Sequence, residues 1–228
     1  MDQIKISAKN LGAVAMPDFC SRCFWIKLKA LNKLPWQIFP GIFSSIDAYT
    51  KHCVHAMISP DVPLPEWLKK MGDVVGYEKV PHWSKLKYED QKNGITLTGA
   101  MDDILVCRDS SRIIPDYKTA KHTDNQDKLF PMYEAQINGY ALLYDPKAKL
   151  FIVYMSPVTD EETAAKNIGA SGFSLSFTAE PIPLKNDKAI VERLFARTRD
   201  IYEMKQAPVG LTGCKDCESL EGIIKILK

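Results

Sequence analysis

The chain lacks any apolar run approaching the roughly eighteen residues of a membrane span, and its first stretch, MDQIKISAKNLG, lacks the apolar core of a signal peptide. A cytoplasmic protein with no membrane partner is therefore expected. Internal repeats and low-complexity tracts are also missing, which excludes repeat arrays and long disordered linkers. There is no large excess of charge: 30 Lys and Arg face 28 Asp and Glu, a formal net charge of +2. Any nucleic-acid surface must then be a local patch, not a global field. What remains is ordinary soluble material, 46% hydrophobic and 25% charged, and 228 residues suffice for one sizeable core.

Cysteine is in better supply. Six cysteines in a cytoplasmic-looking chain argue for metal or redox chemistry ahead of disulfides. Four form two C-x-x-C pairs, Cys20/Cys23 and Cys214/Cys217, almost at opposite ends. Such a pair can chelate one metal because its thiolates converge over a single turn, and two pairs complete a four-sulfur shell. Spacing does not separate zinc from an iron–sulfur cluster, since both accept four cysteines. Cys53 and Cys107 stand alone and read as small buried apolar residues.

In the first third of the chain, CSRCFWIKLKALNKL predicts a helix with the first cysteine pair at its start, broken by the prolines and glycine of LPWQIFPG. Ile42 to Ile58 predicts a second helix, and Pro65 to Met71 a short one. Strand-like texture begins at Gly72, with a first strand over Asp73 to Val80 and a polar stretch from Glu89 to Gly94. Two apolar runs follow, Thr96 to Cys107 and Arg112 to Thr119, joined by the turn material Arg108-Asp109-Ser110-Ser111. The polar KHTDNQDKLFP reads as a loop, and PMYEAQINGYALLY as a helix with Pro131 near its first turn. Lys149 to Met155 predicts a buried strand, Thr159 to Ser171 an irregular connection, and GFSLSFTAE a late strand. Asp187 to Lys205 predicts the last long helix. This order gives a mixed α/β fold.

The paired runs carry the chemistry. Asp102 and Asp103 lie in the first, Asp116 and Lys118 in the second. Carboxylates inside apolar strands are costly to bury unless paired or bound to a cation. Asp116 and Lys118, two apart, face the same side. A hard cation such as magnesium or manganese takes oxygen from carboxylates and backbone carbonyls. A lysine beside it would hold a water or stabilise charge on a phosphate, the minimum set for cutting a phosphodiester. A plain two-residue turn at Asp109-Ser110 would set Asp103 opposite Asp116, whereas one extra residue would set Asp102 there. Parity alone leaves both open. On the following helix Tyr133, Gln136 and Tyr140 fall on one stripe, and a glutamine on an apolar stripe needs a buried partner or a ligand.

Taken together, Gly99-Ala-Met-Asp102, Asp116-Tyr-Lys118-Thr and Gln136-Ile-Asn-Gly-Tyr140 resemble, in order and spacing, the motifs of the PD-(D/E)XK nuclease superfamily, RecB-like branch. CRISPR-associated adaptation nucleases and AddB-type nucleases are the nearest likenesses. The resemblance covers Gly94 to Tyr154 and reaches both ends through the cysteines. It implies a restriction-endonuclease-like mixed central sheet flanked by helices, in one domain over residues 1–228. The nuclease core would span about 41–180, with metal-clip segments about 16–34 and 207–228. Asp102 and Asp116 would bind Mg²⁺ or Mn²⁺ together with the Tyr117 carbonyl. Lys118 would be the catalytic lysine, with Gln136 and Tyr140 orienting it or the substrate. Asp102 in that role requires a bulge or a longer turn in the hairpin.

The chain departs from the branch in two ways. Many members have a histidine ligand in the first core helix; here that helix offers His52, and behind it His55, without a clear motif. The iron–sulfur members split their cysteines one before and three after the core, whereas here the split is two and two. The resemblance favours a [4Fe–4S] cluster, and the even split suits Zn²⁺ equally. Lys121, His122 and Lys128 after the proposed site, and Arg22, Lys27, Lys29 and Lys33 around the first cysteines, could line a groove for DNA phosphates, with Trp25 stacking on bases. The expected function is metal-dependent DNA cleavage, of single strands or ends, in repair, recombination or CRISPR adaptation, with possible protein partners. The alternatives are a non-catalytic binding module that keeps the fold and the metal clip, or a redox iron–sulfur protein.

Overall fold

The computed structural model describes residues 2–31, 41–59, 61–123 and 128–226. The expected break over LPWQIFPG therefore lies, except for Gly41, outside the described residues, as does part of the KHTDNQDKLFP loop. The N-terminal segment forms strand β1 (Ile4–Ser7) and a short helix α1 (Ala8–Gly12), then α2 (Ser21–Lys29). Next come α3 (Gly41–Met57), α4 (Glu66–Lys69) and strands β2 (Val74–Tyr77), β3 (Lys87–Asp90), β4 (Ile95–Thr98), β5 (Leu105–Cys107) and β6 (Arg112–Lys118). Helix α5 (Phe130–Leu143) leads to β7 (Lys149–Pro157), α6 (Glu161–Lys166), a small hairpin β8 (Ile168–Gly169) and β9 (Gly172–Phe173), and β10 (Phe177–Leu184). Helices α7 (Lys188–Glu203) and α8 (Lys215–Ile226) close the chain.

Among the described residues the main sheet has five strands in the order β10-β7-β6-β5-β2, mixed in direction. Within this sheet β6 and β7 are the parallel pair, and α5 crosses between them as a β-α-β connection. A second sheet, β1-β4-β3, lies apart from it. The interior strand β6 is buried on both faces, as a strand covered by helices on each side must be. Ile114 packs with Ala135, Ile137 and Tyr140 of α5, whereas Ile113 and Tyr117 pack with Val54 of α3 and Leu68 of α4. The two-residue side-chain period thus assigns Asp116 and Lys118 to the α5 face and Tyr117 to the other.

Four expectations are corrected. The run Thr96–Cys107 is not one strand: β4 ends at Thr98, the chain is irregular over 99–104, and β5 resumes in the other sheet. The polar stretch Glu89–Gly94 hides the end of β3 and its turn, because β3 is only half-buried on one face and exposed on the other, and so reads as polar. The connection Thr159–Ser171 contains α6 and the start of the β8-β9 hairpin. The late strand begins at Phe177 and runs on to Leu184 through Pro181 and Pro183, which an edge strand tolerates because one side of its ladder is unpaired. The N-terminal strand was not anticipated; it is clamped by buried Arg199 of α7, which donates to the carbonyls of Asp2 (2.8 Å), Asn93 (2.6 Å) and Gly94 (2.9 Å).

Candidate active site

The hairpin between β5 and β6 turns through three residues, Arg108-Asp109-Ser110, with Cys107 and Ser111 as the closing pair. Ser110 takes a left-handed backbone (φ 65°), and Ser110 N–H donates to the Cys107 carbonyl at 2.9 Å. This is the three-residue turn that ends in a left-handed position. Leu105 accordingly faces Ile113 and Val106 faces Arg112. Continued towards the irregular segment, that register brings Asp102, not Asp103, level with Asp116. The extra residue that parity alone did not supply is in the turn.

Gly99 explains how the chain leaves β4 at this point. A Cβ on Gly99 would stand 2.8 Å from both Tyr140 Cε1 and Leu143 Cδ1, so α5 can lie this close only over a glycine. Three residues later the two neighbouring acids part company. Asp102 Oδ2 accepts the Tyr117 N–H at 2.9 Å, and its Oδ1 lies 3.4 Å from Lys51 Nζ. Asp103 is buried and saturated: it contacts His55 Nε2 at 2.9 and 3.0 Å and accepts the Ile104 N–H at 2.9 Å and the Tyr117 hydroxyl at 3.2 Å. His55 in turn stacks on Tyr77 at 3.7 Å. Asp103 therefore ties α3 to the sheet and has no free lone pair aimed elsewhere.

On β6, Asp116 is 1% exposed, and Lys118 Nζ stands 2.6 Å from its Oδ2. That oxygen is buried and makes no hydrogen bond of good geometry. Gln136 of α5 bridges the pair: its Nε2 donates to Asp116 Oδ1 at 3.3 Å and to the Tyr140 hydroxyl at 2.6 Å, while its Oε1 accepts from Lys118 at 3.4 Å. Lys118 Nζ also lies 4.3 Å from the centre of the Tyr133 ring. The stripe Tyr133, Gln136, Tyr140 thus covers the carboxylate and lysine together.

These groups border one pocket of about 620 Å³, with Lys9, Phe43, Asp47 and Thr50 on its other side. Burial, reinforced by the charge of Asp116 and opposed by Lys51, pushes the Asp102 carboxyl up to about 7. Burial also raises Asp116, against the pull of Lys118. Two carboxylates that resist ionisation side by side call for a cation, and hard oxygen donors suit magnesium or manganese. The residues present fit such an ion.

Helix α3 contributes two groups that the sequence reading missed. Lys51 Nζ is 2.8 Å from Asp47 Oδ2 and bridges it to Asp102. Burial opposes its charge, but Asp102 and Asp47 hold its ionisation above the ordinary lysine range. The signal was an acid and a lysine four apart on the stripe that also holds buried Val54. His52, expected there as a ligand, is exposed and does not line the pocket, because it points off the stripe that faces the sheet. His55 is engaged by Asp103 instead.

Several expected phosphate contacts are otherwise occupied. Arg22 is ion-paired with Glu221 beside the cysteines, away from the acid pocket. Lys121 donates to Thr159 at 3.2 Å, and His122 contacts Glu180 at 3.1 Å and stacks on Tyr154. Lys27 donates to Asn10 at 2.8 Å, and Lys29 lies 3.7 Å over the Tyr202 ring. Trp25, expected to stack on bases, donates its indole N–H to the Met204 carbonyl and packs against the core.

At the chain ends, Cys20, Cys23, Cys214 and Cys217 come together, with all four sulfur atoms within 4.8 Å of one another. Cys20 caps α2 and Cys214 immediately precedes α8, so both pairs sit at helix starts where backbone N–H groups favour thiolates. Burial opposes the Cys20 thiolate, yet the backbone N–H groups of Leu211 and Cys23 bring it down to about 6; burial pushes Cys217 up to about 11. Cys53 and Cys107 lie outside this cluster.

An α/β fold with a mixed sheet, a lysine beside a buried carboxylate and a cysteine clip joining the chain ends defines a class of protein. The profile of the PD-(D/E)XK nuclease superfamily matches residues 62–221, more than half of the chain, and the chain belongs to that superfamily. No curated protein matches it. Among solved structures, the fold is similar to a phage-related exonuclease from Haemophilus somnus 129PT, at 13% identity and TM-score 0.50, over 88% of this chain and 94% of that one. SSO0001 is similar at 13% identity and TM-score 0.44, over 91% of this chain and 81% of that one.

Proposed function

We propose that the protein is a divalent-metal-dependent deoxyribonuclease of the RecB-like kind, acting on single strands or DNA ends. The observation that carries the reading is the convergence of Asp102, Asp116, Lys118 and Gln136 on one pocket from three separate segments. The superfamily match supports it, as does the fold shared with a phage-related exonuclease.

Asp102, Asp116 and the Tyr117 carbonyl would hold Mg²⁺ or Mn²⁺. When bound, such an ion supplies a lowered water pKa and Lewis-acid polarisation of a phosphoryl oxygen. Lys118 is steered by Asp116, Gln136 and the Tyr133 face, so its ammonium is preorganised to stabilise charge developing on the phosphate. Gln136 is a positioning residue, fixed in turn by Tyr140. Asp47 and Lys51 add a second carboxylate–lysine pair at the rim, close enough to Asp102 to tune the affinity for the cation.

Purified protein incubated with labelled single- and double-stranded DNA should cleave it when Mg²⁺ or Mn²⁺ is added, and not in excess chelator. Lys118→Ala should lower the cleavage rate on the order of 10²–10³-fold or more while the melting temperature stays near that of the parent. Cleavage that survives this substitution would overturn the catalytic assignment.

A further inference from the structure

We infer that the four cysteines bind a single tetrahedral metal ion of the zinc type, and not an iron–sulfur cluster. The inference stands apart from the nuclease reading, because it rests on the sulfur geometry at the chain ends.

The separations decide it. Cys20 and Cys217 Sγ are 3.6 Å apart, Cys23 and Cys214 Sγ 3.6 Å, and Cys23 and Cys217 Sγ 3.4 Å, with every pair inside 4.8 Å. Four thiolates at about 2.3 Å from one central ion stand about 3.8 Å apart along the edges of the tetrahedron. In a cubane each thiolate binds a different iron, so the cysteine sulfurs stand roughly 6 Å apart around the cluster. The observed set matches the first geometry and falls well short of the second.

Three contacts tie together the segments that carry the sulfurs. A Cβ on Gly210 would come within 2.9 Å of Cys217 Sγ, so the approach to the second pair is pressed against that sulfur. The Leu211 N–H donates to Cys20 Sγ at 3.4 Å, pinning the same loop to the first pair. Arg22 of α2 and Glu221 of α8 form an ion pair across the two helices that carry the sulfurs. The two-and-two split agrees with a single ion, since each C-x-x-C at a helix start supplies one edge of a tetrahedron.

The test is the metal content of the full chain, purified without oxygen from cells supplied with both iron and zinc. Zinc at about one atom per chain, no acid-labile sulfide and no brown colour are expected. Exchange with Co²⁺ should then give a thiolate-to-cobalt charge-transfer band and the visible bands of a tetrahedral four-sulfur site. Both should persist in Cys53→Ser and vanish in Cys20→Ser. Because the latter variant could fail for lack of folding, the spectrum of the unaltered chain carries the decision. Iron and sulfide near four each per chain would overturn the inference, and so would the absence of any thiolate-bound metal.

Discussion

At the cysteine cluster each half is specified within four consecutive residues, and the fold has only to bring two helix starts together. At the carboxylate pocket nothing is local. Asp102 comes from an irregular link between two sheets, Asp116 and Lys118 from a central strand, Gln136 from the crossover helix, and Asp47 and Lys51 from α3. The clip holds the chain ends at α2 and α8, outside the sheet, whereas the pocket is embedded in the core it interrupts. A site of the first kind is expected to supply stability. One of the second kind is expected to cost stability, because it keeps carboxylates buried for chemistry.

The largest effect that separates the two is therefore on folding. Cys214→Ser should lower the melting temperature by roughly 10 °C or more, since the free energy of binding a structural metal is also folding free energy. Lys118→Ala, proposed above to remove activity, should move it by less, because Asp116 left without its ammonium can take up a proton instead. Calorimetry on both variants checks this. A cysteine variant as stable as the parent would erase the distinction.

The sequence carried these two regions to different depths, for physical reasons. The C-x-x-C pairs were legible because their spacing is local. The order Asp102, Asp116, Lys118, Gln136 was legible as a pattern, but its register was not, because a two-residue and a three-residue turn draw on the same residues and only the closing pair Cys107 and Ser111 tells them apart. The break after Thr98 was hidden in an apolar run; Tyr140 and Leu143 of α5 lie close against Gly99 there, and that contact is tertiary. Asp47 and Lys51 carried no motif, only an acid–lysine spacing common on exposed helices. Strand β10 lies further along than the alternation of GFSLSFTAE suggests, since it continues through Pro181 and Pro183, which only its place at the edge of the sheet permits.

A finer effect distinguishes the two adjacent aspartates, and the signs are opposite. Asp103→Asn should lower stability by about 1–3 kcal/mol, because His55, Tyr117 and the Ile104 N–H all use that carboxylate. Cleavage per folded molecule should persist. Asp102→Asn should abolish cleavage but raise stability in chelator, by an amount on the order of a few kcal/mol above pH 7. Its folded-state pKa is raised from 3.8 to about 7, so the folded protein holds an extra proton between those values. Stability of the unaltered, metal-free protein then falls as pH rises through that window, and the advantage of asparagine grows from nothing below pH 4 to its full size above pH 7. Melting curves across pH, in chelator and in excess Mn²⁺, would read this directly; an advantage independent of pH would remove Asp102 as its source.

The smallest expected effect concerns His52. On α3, Asp47, Lys51 and Val54 follow at four- and three-residue spacing and face the sheet, so a residue five positions after Asp47 is turned well away from them. His52 is exposed there, and an exposed residue outside any cap, core contact or ion pair typically contributes within about 0.5 kcal/mol. His52→Ala should change neither melting temperature, nor Mn²⁺ affinity by titration, nor cleavage rate beyond about twofold. Weakened Mn²⁺ binding in this variant would mean that α3 turns by more than a right angle when the pocket fills. The pocket would then be a site assembled by its ion, much as the cysteine clip is, and the contrast between the two regions would narrow to one of ligand chemistry alone.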